Sequence, residues 1–207
     1  ILGDRDLKWE TTTQTDIGID FGLFNNRISV LADYYYKKTS DLLIGVPVRH
    51  SLGYTCRFSN FGEIENKGFE FEISSKNLIG EFRWTTSLNM TFNRNKVLAL
   101  PNGINEILGG VGDLNIARVG QPLGAFSGWR SLGVNPQTGM IDYLGANGSA
   151  VLPTDYADRT IIGNPNPDFF GGITNNFYYK NIDLSIMGQF SYGNDIFNYN
   201  LFSGLSG

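Results

Sequence analysis

Between Trp9 and Thr39 the chain reads WETTTQTDIGIDFGLFNNRISVLADYYYKKT, and bulky apolar residues recur at every second position on both sides of an Asn-Asn pair. A period of two is the repeat of a β-strand whose faces differ chemically. Ile17, Ile19, Phe21 and Leu23 share one face, and Asp16, Gly18, Asp20 and Gly22 share the other. Asn25-Asn26 reads as a two-residue turn, because Asn tolerates the positive φ that tight hairpins need. Beyond it, Ile28, Val30, Ala32, Tyr34 and Tyr36 oppose Arg27, Ser29, Asp33, Tyr35 and Lys37.

The same alternation returns downstream. Phe69, Phe71 and Ile73 stand against Glu70, Glu72 and Ser74. Trp84, Leu88, Met90 and Phe92 stand against Thr85, Ser87, Asn89, Thr91 and Asn93. Ile182, Leu184, Ile186, Phe190 and Tyr192 stand against Asp183, Ser185, Gln189 and Ser191. The pattern predicts about eight strands, at 9–24, 27–39, 65–76, 82–95, 117–133, 140–144, 169–179 and 182–194. Composition agrees, since 26 Gly, 15 Phe and 10 Tyr suit strands and turns.

Periodicity alone leaves open which face is inside. A soluble β-sandwich turns its apolar face inward, and a membrane β-barrel turns it to lipid. The connections separate the two. Short joins (25–26, 77–81, 135–139, 180–181) alternate with long ones (45–64, 96–116, 145–168), the rhythm of an outer-membrane barrel with short periplasmic turns and long outer loops. Strand ends rich in Tyr34, Tyr35, Tyr36, Trp84, Tyr178 and Tyr179 fit interfacial aromatic girdles. The fold class expected is all-β, with antiparallel up-and-down strands forming part of a large outer-membrane β-barrel. No run of about eighteen apolar residues marks a transmembrane helix.

Other bulk features exclude classes. A net charge of −4 gives no basic footprint, so no nucleic-acid partner is expected. Lone Cys56 cannot form an internal disulfide. His50 is the single histidine, which leaves almost no material for His-based metal clusters or His-activated nucleophiles. No cofactor, metal site or catalytic residue is expected.

Several blocks also resemble one family. LKWETTTQTDIGIDFGLFNNRISVLADYYYKKTSDLL, NFGEIENKGFEFEI, VGQPLGAFSGWRSLGVNPQTGMIDY and IIGNPNPDFFGGITNNFYYKNIDLSIMGQFSYGNDIFN are similar, in this order, to SusC/RagA TonB-dependent outer-membrane transporters of Bacteroidetes. The resemblance implies a plugged barrel of about 22 strands. It implies a SusD-like surface lipoprotein as lid, uptake energised by TonB, and oligosaccharide or peptide substrates. Residues 1–207 are then a partial barrel from the second half of a longer chain, without the plug, the TonB-contacting segment or the final strands. Both ends read as cut. An acidic loop common in the family survives only as Asp142, Asn147 and Asp155, with Ser149 at an acidic position, so calcium is not expected.

Functional candidates follow. The loop VPVRHSLGYTCRFSN offers Arg49, His50, Tyr54 and Arg57 to an incoming substrate, and equally fits a solvated tip or a contact to the lid. Trp129, with Phe126, Tyr143 and Tyr156, could stack on sugar rings, although such residues more often pack a loop. Glu70 and Glu72 lie about 7 Å apart on one strand face, a spacing open to glycosidase chemistry. Their ordinary reading is two acids facing a wet lumen, and no enzymatic activity is expected. Glycines 109, 110 and 112 follow no strand-to-helix switch and carry no phosphate-binding signature. GNPNPD is a rigid lead-in to a strand. The rival from another class is a soluble carbohydrate-binding or glycosidase β-sandwich. A third reading is an isolated fragment whose raw strand edges pair with another copy.

Overall fold

The computed structural model describes residues 7–47, 53, 56–60, 62–100, 103–153 and 156–205. Its main body is one six-stranded antiparallel sheet built from β1 (Thr11–Leu23), β2 (Ile28–Ser40), β5 (Glu63–Ile79), β6 (Phe82–Ala99), β14 (Phe169–Tyr179) and β15 (Ile182–Tyr192), in that spatial order. Every neighbour in this sheet is the next wall strand in the chain, so the topology is a plain meander. Three smaller sheets sit in the connections: β3 (Leu43–Pro47) with β4 (Cys56–Asn60); β7 (Glu106–Gly109), β8 (Asn115–Arg118), β9 (Ala125–Gly128) and β13 (Thr160–Gly163); and β10 (Ser131–Val134), β11 (Ile141–Leu144) and β12 (Ala150–Val151).

Register carries the alternation across the whole sheet. Phe21 pairs with Val30, Val30 with Ile73, Ile73 with Leu88, and Leu88 with Ile173, so one apolar row crosses β1 through β14. The next row joins Ile19, Ala32, Phe71, Met90, Gly171 and Phe190. A one-residue slip in any pair would break these rows, because every side chain would change face. The opposite face joins Asp20, Leu31, Glu72, Asn89, Gly172 and Gln189 in one row.

The apolar face carries no second layer among the described residues. Ile17 is 69% exposed, and Leu184 and Ile186 are each 54% exposed. Among the described residues, fully buried apolar side chains are instead confined to Val97, Ile116 and Ala125, where the top of β6 meets the small sheet of β7–β9 and β13. This distribution does not match the soluble sandwich, whose apolar faces bury one another. It matches a sheet that uses lipid as its apolar solvent.

Aromatic clusters bound the apolar band. At the short-turn end Trp84 stacks on Phe177 at 5.7 Å between ring centroids, and Phe82 lies 6.3 Å from Phe177. At the other end Phe169 lies 5.8 Å from Phe92 and 5.3 Å from Tyr192. Phe82 and Phe92 are separated along β6 by about 34 Å of strand, which at a tilt of about 40° spans roughly 26 Å of membrane normal. That height suits the hydrocarbon layer.

The short joins differ in detail from the sequence expectation. Leu23 pairs with Ile28, so the β1–β2 connection has four residues, and Phe24, Asn25 and Asn26 all have positive φ (53°, 57° and 59°). Asn25 and Asn26 adopt this region readily, and the turn closes through Arg27 N–H donating to Leu23 C=O at 3.1 Å. Strand β5 runs on to Ile79 after a bulge between Lys76 and Leu78, which leaves only Gly80-Glu81 as its turn. The join at Lys180-Asn181 is as expected, with Lys180 at φ 54°.

Two predicted strands are corrected. Residues 117–133 form no wall strand but split among β8, β9 and β10, and 140–144 yields β11 of a separate small sheet. Gly120, Gly124 and Gly133 have positive φ, at 87°, 78° and 104°, and break the stretch into short pieces. The β6–β14 connection is therefore one large structured loop carrying β7–β13. All long connections leave one edge of the sheet and all short ones the other.

The facing assignment gives a paired test. Leu88 lies on the apolar face and Ser87 beside it on the polar face, so Leu88→Arg should cost about 2–4 kcal/mol at mid-band depth and abolish assembly. Ser87→Arg should still assemble. Heat-modifiable mobility of the parent polypeptide in outer membranes measures both, and equal assembly of the two variants would contradict the assignment.

Candidate functional site

The polar face of the sheet divides into two chemical halves. On β1, β2 and β5 it carries carboxylates. Asp33 pairs directly with Glu70, with Gly18 on the other side, and the neighbouring rows add Asp16, Asp20 and Glu72. On β6, β14 and β15 it carries amides and hydroxyls, with Asn89, Thr91, Asn93, Thr174, Gln189 and Ser191. An open depression of about 460 Å³ on the first half is lined by Gln14, Asp16, Asp33, Tyr35, Lys37 and Glu70. A second, of about 500 Å³, lies over Asn89, Thr174, Gln189 and Ser191.

Between the halves the surface is held by a close contact. Gly68 is buried, and a Cβ there would come within 2.6 Å of the Tyr35 ring. Tyr35 therefore lies flat across β5 and reaches Asn93, where its hydroxyl donates to Oδ1 at 2.9 Å. A glycine in a strand interior often marks such a close approach. Glu70 and Glu72 lie on this wet face, both exposed, and Glu72 accepts from the Ser74 hydroxyl at 3.3 Å. Two carboxylates side by side on one open strand face make an acidic lining rather than an enclosed pair.

Above the sheet, the large loop is a folded unit fixed to it at two places. The Val97 N–H donates to Gln121 C=O at 2.9 Å, the Gly120 N–H to Val97 C=O at 2.8 Å, and the Leu123 N–H to Asn95 Oδ1 at 2.8 Å. On the far side the Asn164 N–H donates to Asp195 Oδ2 at 2.7 Å, and the Asp195 N–H donates back to Asn164 C=O at 2.8 Å. Arg94 pairs with Asp168 at 2.9 Å beneath this second clasp. The GNPNPD lead-in is thus a fastening point as well as a rigid turn.

Inside this unit stands Arg159, which sequence reasoning missed. It is only 8% exposed, and its guanidinium donates to Ser127 C=O at 2.6 Å and Asp113 C=O at 2.7 Å. Its Cζ lies 5.1 Å from the Trp129 ring centroid, a cation–π distance. A planar, multi-donor cation suits this task of joining carbonyls from separate segments. Only its place just before the β-branched run Thr160–Ile162 sets it apart in sequence, and that is no signal for burial.

The proposed substrate residues meet different outcomes. Arg49, His50 and Tyr54 lie outside the described residues, and so does the side chain of Arg57, whose backbone in β4 pairs with Val46 of β3. Trp129 is half-buried with one face under Arg159, so it packs the loop as well as lining it. Tyr143 pairs with Ser131 and Val151 in the small sheet of β10–β12 and does not join Trp129 in one sheet. Of the acidic-loop remnants, Asp142 accepts from Asn135 Nδ2 at 3.0 Å and Asn147 from the Ser149 N–H at 3.0 Å, while Asp155 is outside the described residues.

The chain as a whole is similar to known proteins. Residues 1–146 match the family model described as TonB dependent receptor-like, beta-barrel. TonB-dependent receptor P3 of Formosa agariphila is 37% identical over 97% of this chain and 22% of its own length. TonB-dependent receptor SusC of Bacteroides thetaiotaomicron is 30% identical over 94% of this chain and 20% of its own. In shape, the chain superposes on the RagAB peptide transporter with a TM-score of 0.81 and 25% identity, covering 93% of this chain and 22% of that one. The chain thus spans about a fifth of the length of the relatives it matches.

Arg159 supplies the test here. Arg159→Ala removes two charge-assisted hydrogen bonds, each worth about 1.5–3 kcal/mol when desolvated. Hydrogen exchange at residues 113–129 should rise by at least tenfold while the β1–β2 strands keep their protection. Unchanged exchange in the loop would contradict the bracing role.

Proposed function

Because this chain belongs to the TonB-dependent receptor-like β-barrel family, we propose that it forms one stretch of wall and outer loops of a SusC-type importer in the bacterial outer membrane. The observation that carries this reading is the six-stranded meander with one predominantly apolar face and one polar face. β1 and β15 each pair on one side only among the described residues. The remainder of a longer polypeptide would supply the strands that close the barrel, since open edges are not tolerated in lipid. An N-terminal plug and its TonB-contacting segment belong to that remainder.

The relatives here are receptors and transporters, one of them the RagAB peptide transporter. The substrate class proposed for this protein is oligosaccharide or peptide, delivered with a SusD-like surface lipoprotein and drawn inward by TonB. The polar face suits this traffic, because hydroxyls and amides exchange hydrogen bonds with a passing solute without binding it tightly. On this reading Arg49, His50, Tyr54, Arg57 and Trp129 belong to outer loops at the entrance. On the same reading Glu70 and Glu72 act as part of the lumen lining.

Fractionation tests the whole reading. The native polypeptide should appear in detergent extracts of outer membranes at several times 22.9 kDa and bring a lipoprotein with it. Uptake of labelled oligosaccharide or peptide by cells carrying it should stop when a protonophore collapses the energy source. A soluble species near 22.9 kDa would contradict the proposal.

A further inference from the structure

The apolar face carries one polar interruption. Two residues above Trp84 on β6 comes Thr86, in a row with Ser75 of β5, Asn175 of β14 and Ile186 of β15. Leu88 and Ile173 lie above this row, and Trp84 and Phe177 lie below it. Thr86 and Asn175 are therefore on the face that meets lipid, roughly 5 Å inside the aromatic belt by strand rise and tilt.

Hydrogen bonds run through this row in one direction. The Ser75 hydroxyl donates to Asn77 Oδ1 at 2.8 Å, and Asn77 Nδ2 donates to Thr86 Oγ1 at 2.8 Å. Thr86 Oγ1 in turn donates to Asn175 Oδ1 at 2.7 Å, and Trp84 Nε1 donates to the same oxygen at 3.0 Å. The bulge after Lys76 is what brings Asn77 into the row. An indole N–H is only a donor, so it fixes which end of the Asn175 amide faces it. Oxygen takes that position, and Nδ2 is left over.

Among the described residues that Nδ2 has no hydrogen-bond partner, although every other group in the chain of donors is engaged. An amide N–H facing hydrocarbon is costly without an acceptor. Water is scarce at this depth, and the flanking side chains in the sheet, Ile173, Phe177 and Ile186, offer none. Going outward from this depth, the first acceptor chemistry a bilayer offers is the acyl ester of a glycerolipid, at the level of the belt. Phosphate lies further out, beyond the belt.

We propose that Asn175 is a phospholipid-binding residue on the outer surface of the wall. Its Nδ2 donates to an acyl ester carbonyl of a phospholipid in the leaflet at the short-turn end. Trp84, Thr86 and Asn77 are positioning residues that hold the amide with its nitrogen free. Ile186 and Phe177 flank the acyl chain. The site rests on the reading that this face meets lipid.

The test uses the intact native polypeptide, purified in detergent and reloaded with a diester phosphatidylethanolamine, with bound lipids counted by native mass spectrometry. Asn175→Leu keeps the apolar face and should assemble normally, and Ile186→Leu is the control. The wild type and Ile186→Leu should retain one more phospholipid per polypeptide than Asn175→Leu, with about fivefold weaker apparent affinity at that site in the variant, as one lost hydrogen bond implies. With a diether phosphatidylethanolamine, which lacks the carbonyls, wild type and Asn175→Leu should become equal.

Equal retention in diester lipid would overturn the proposal. A difference that persisted in diether lipid would overturn the carbonyl assignment. A variant that changed the oligomeric mass without changing the lipid count would overturn it too, and would assign the row to a contact between proteins. Failure of the wild type to give a heat-modifiable folded band would sink the membrane-wall reading itself, an outcome distinct from the other three.

Discussion

The sheet depends on satisfying backbone hydrogen bonds where no water can help. In a lipid environment each N–H and C=O must find its partner within the protein, and an antiparallel ladder meets that demand without help from side chains. Here the ladder is continuous from β1 to β15, with every strand between them paired on both sides. Once the ladder is in place, side chains are free to differ completely between faces. The in-register rows through Ile73, Leu88 and Ile173 on one side and Glu72, Asn89 and Gly172 on the other are the result.

The same constraint explains where the irregular backbone goes. Among the described residues, the small sheets, the 3₁₀ turns and the left-handed glycines all lie beyond the same ends of the wall strands. There they fold against the sheet's top through Val97 and Asn95 and through the Asn164–Asp195 clasp. Arg159 braces them internally. The wall is thus a uniform structure, and the loops are an individual one built on it. The function proposed above divides in the same way, with passage assigned to the wall and selection to the loops.

Legibility in the sequence followed this division. Wall strands announced themselves, because a two-sided environment imposes a strict period of two, and 169–179 was located to the residue. The close approach at Gly68 was not read from NKGFEFE, because its partner Tyr35 lies on the neighbouring strand β2, far off in the chain. The 117–133 region misled because its apolar residues serve three short strands in a small core, where burial depends on loop closure and not on a repeat. Phe24 at positive φ carries no sequence signature. Nor do Arg159 and Asn175, whose roles come from carbonyls and hydroxyls that only folding brings near them.

The central claim is that the two faces meet different solvents, and nitroxide scanning of β15 tests it most directly. Single cysteines at residues 183 to 187, spin-labelled in the intact polypeptide in lipid, report collisions with oxygen and with a water-soluble nickel chelate. Oxygen should dominate at Leu184 and Ile186 and the chelate at Asp183, Ser185 and Met187, alternating at every residue. Equal access to both reagents along the strand, or the opposite phase, would contradict the account.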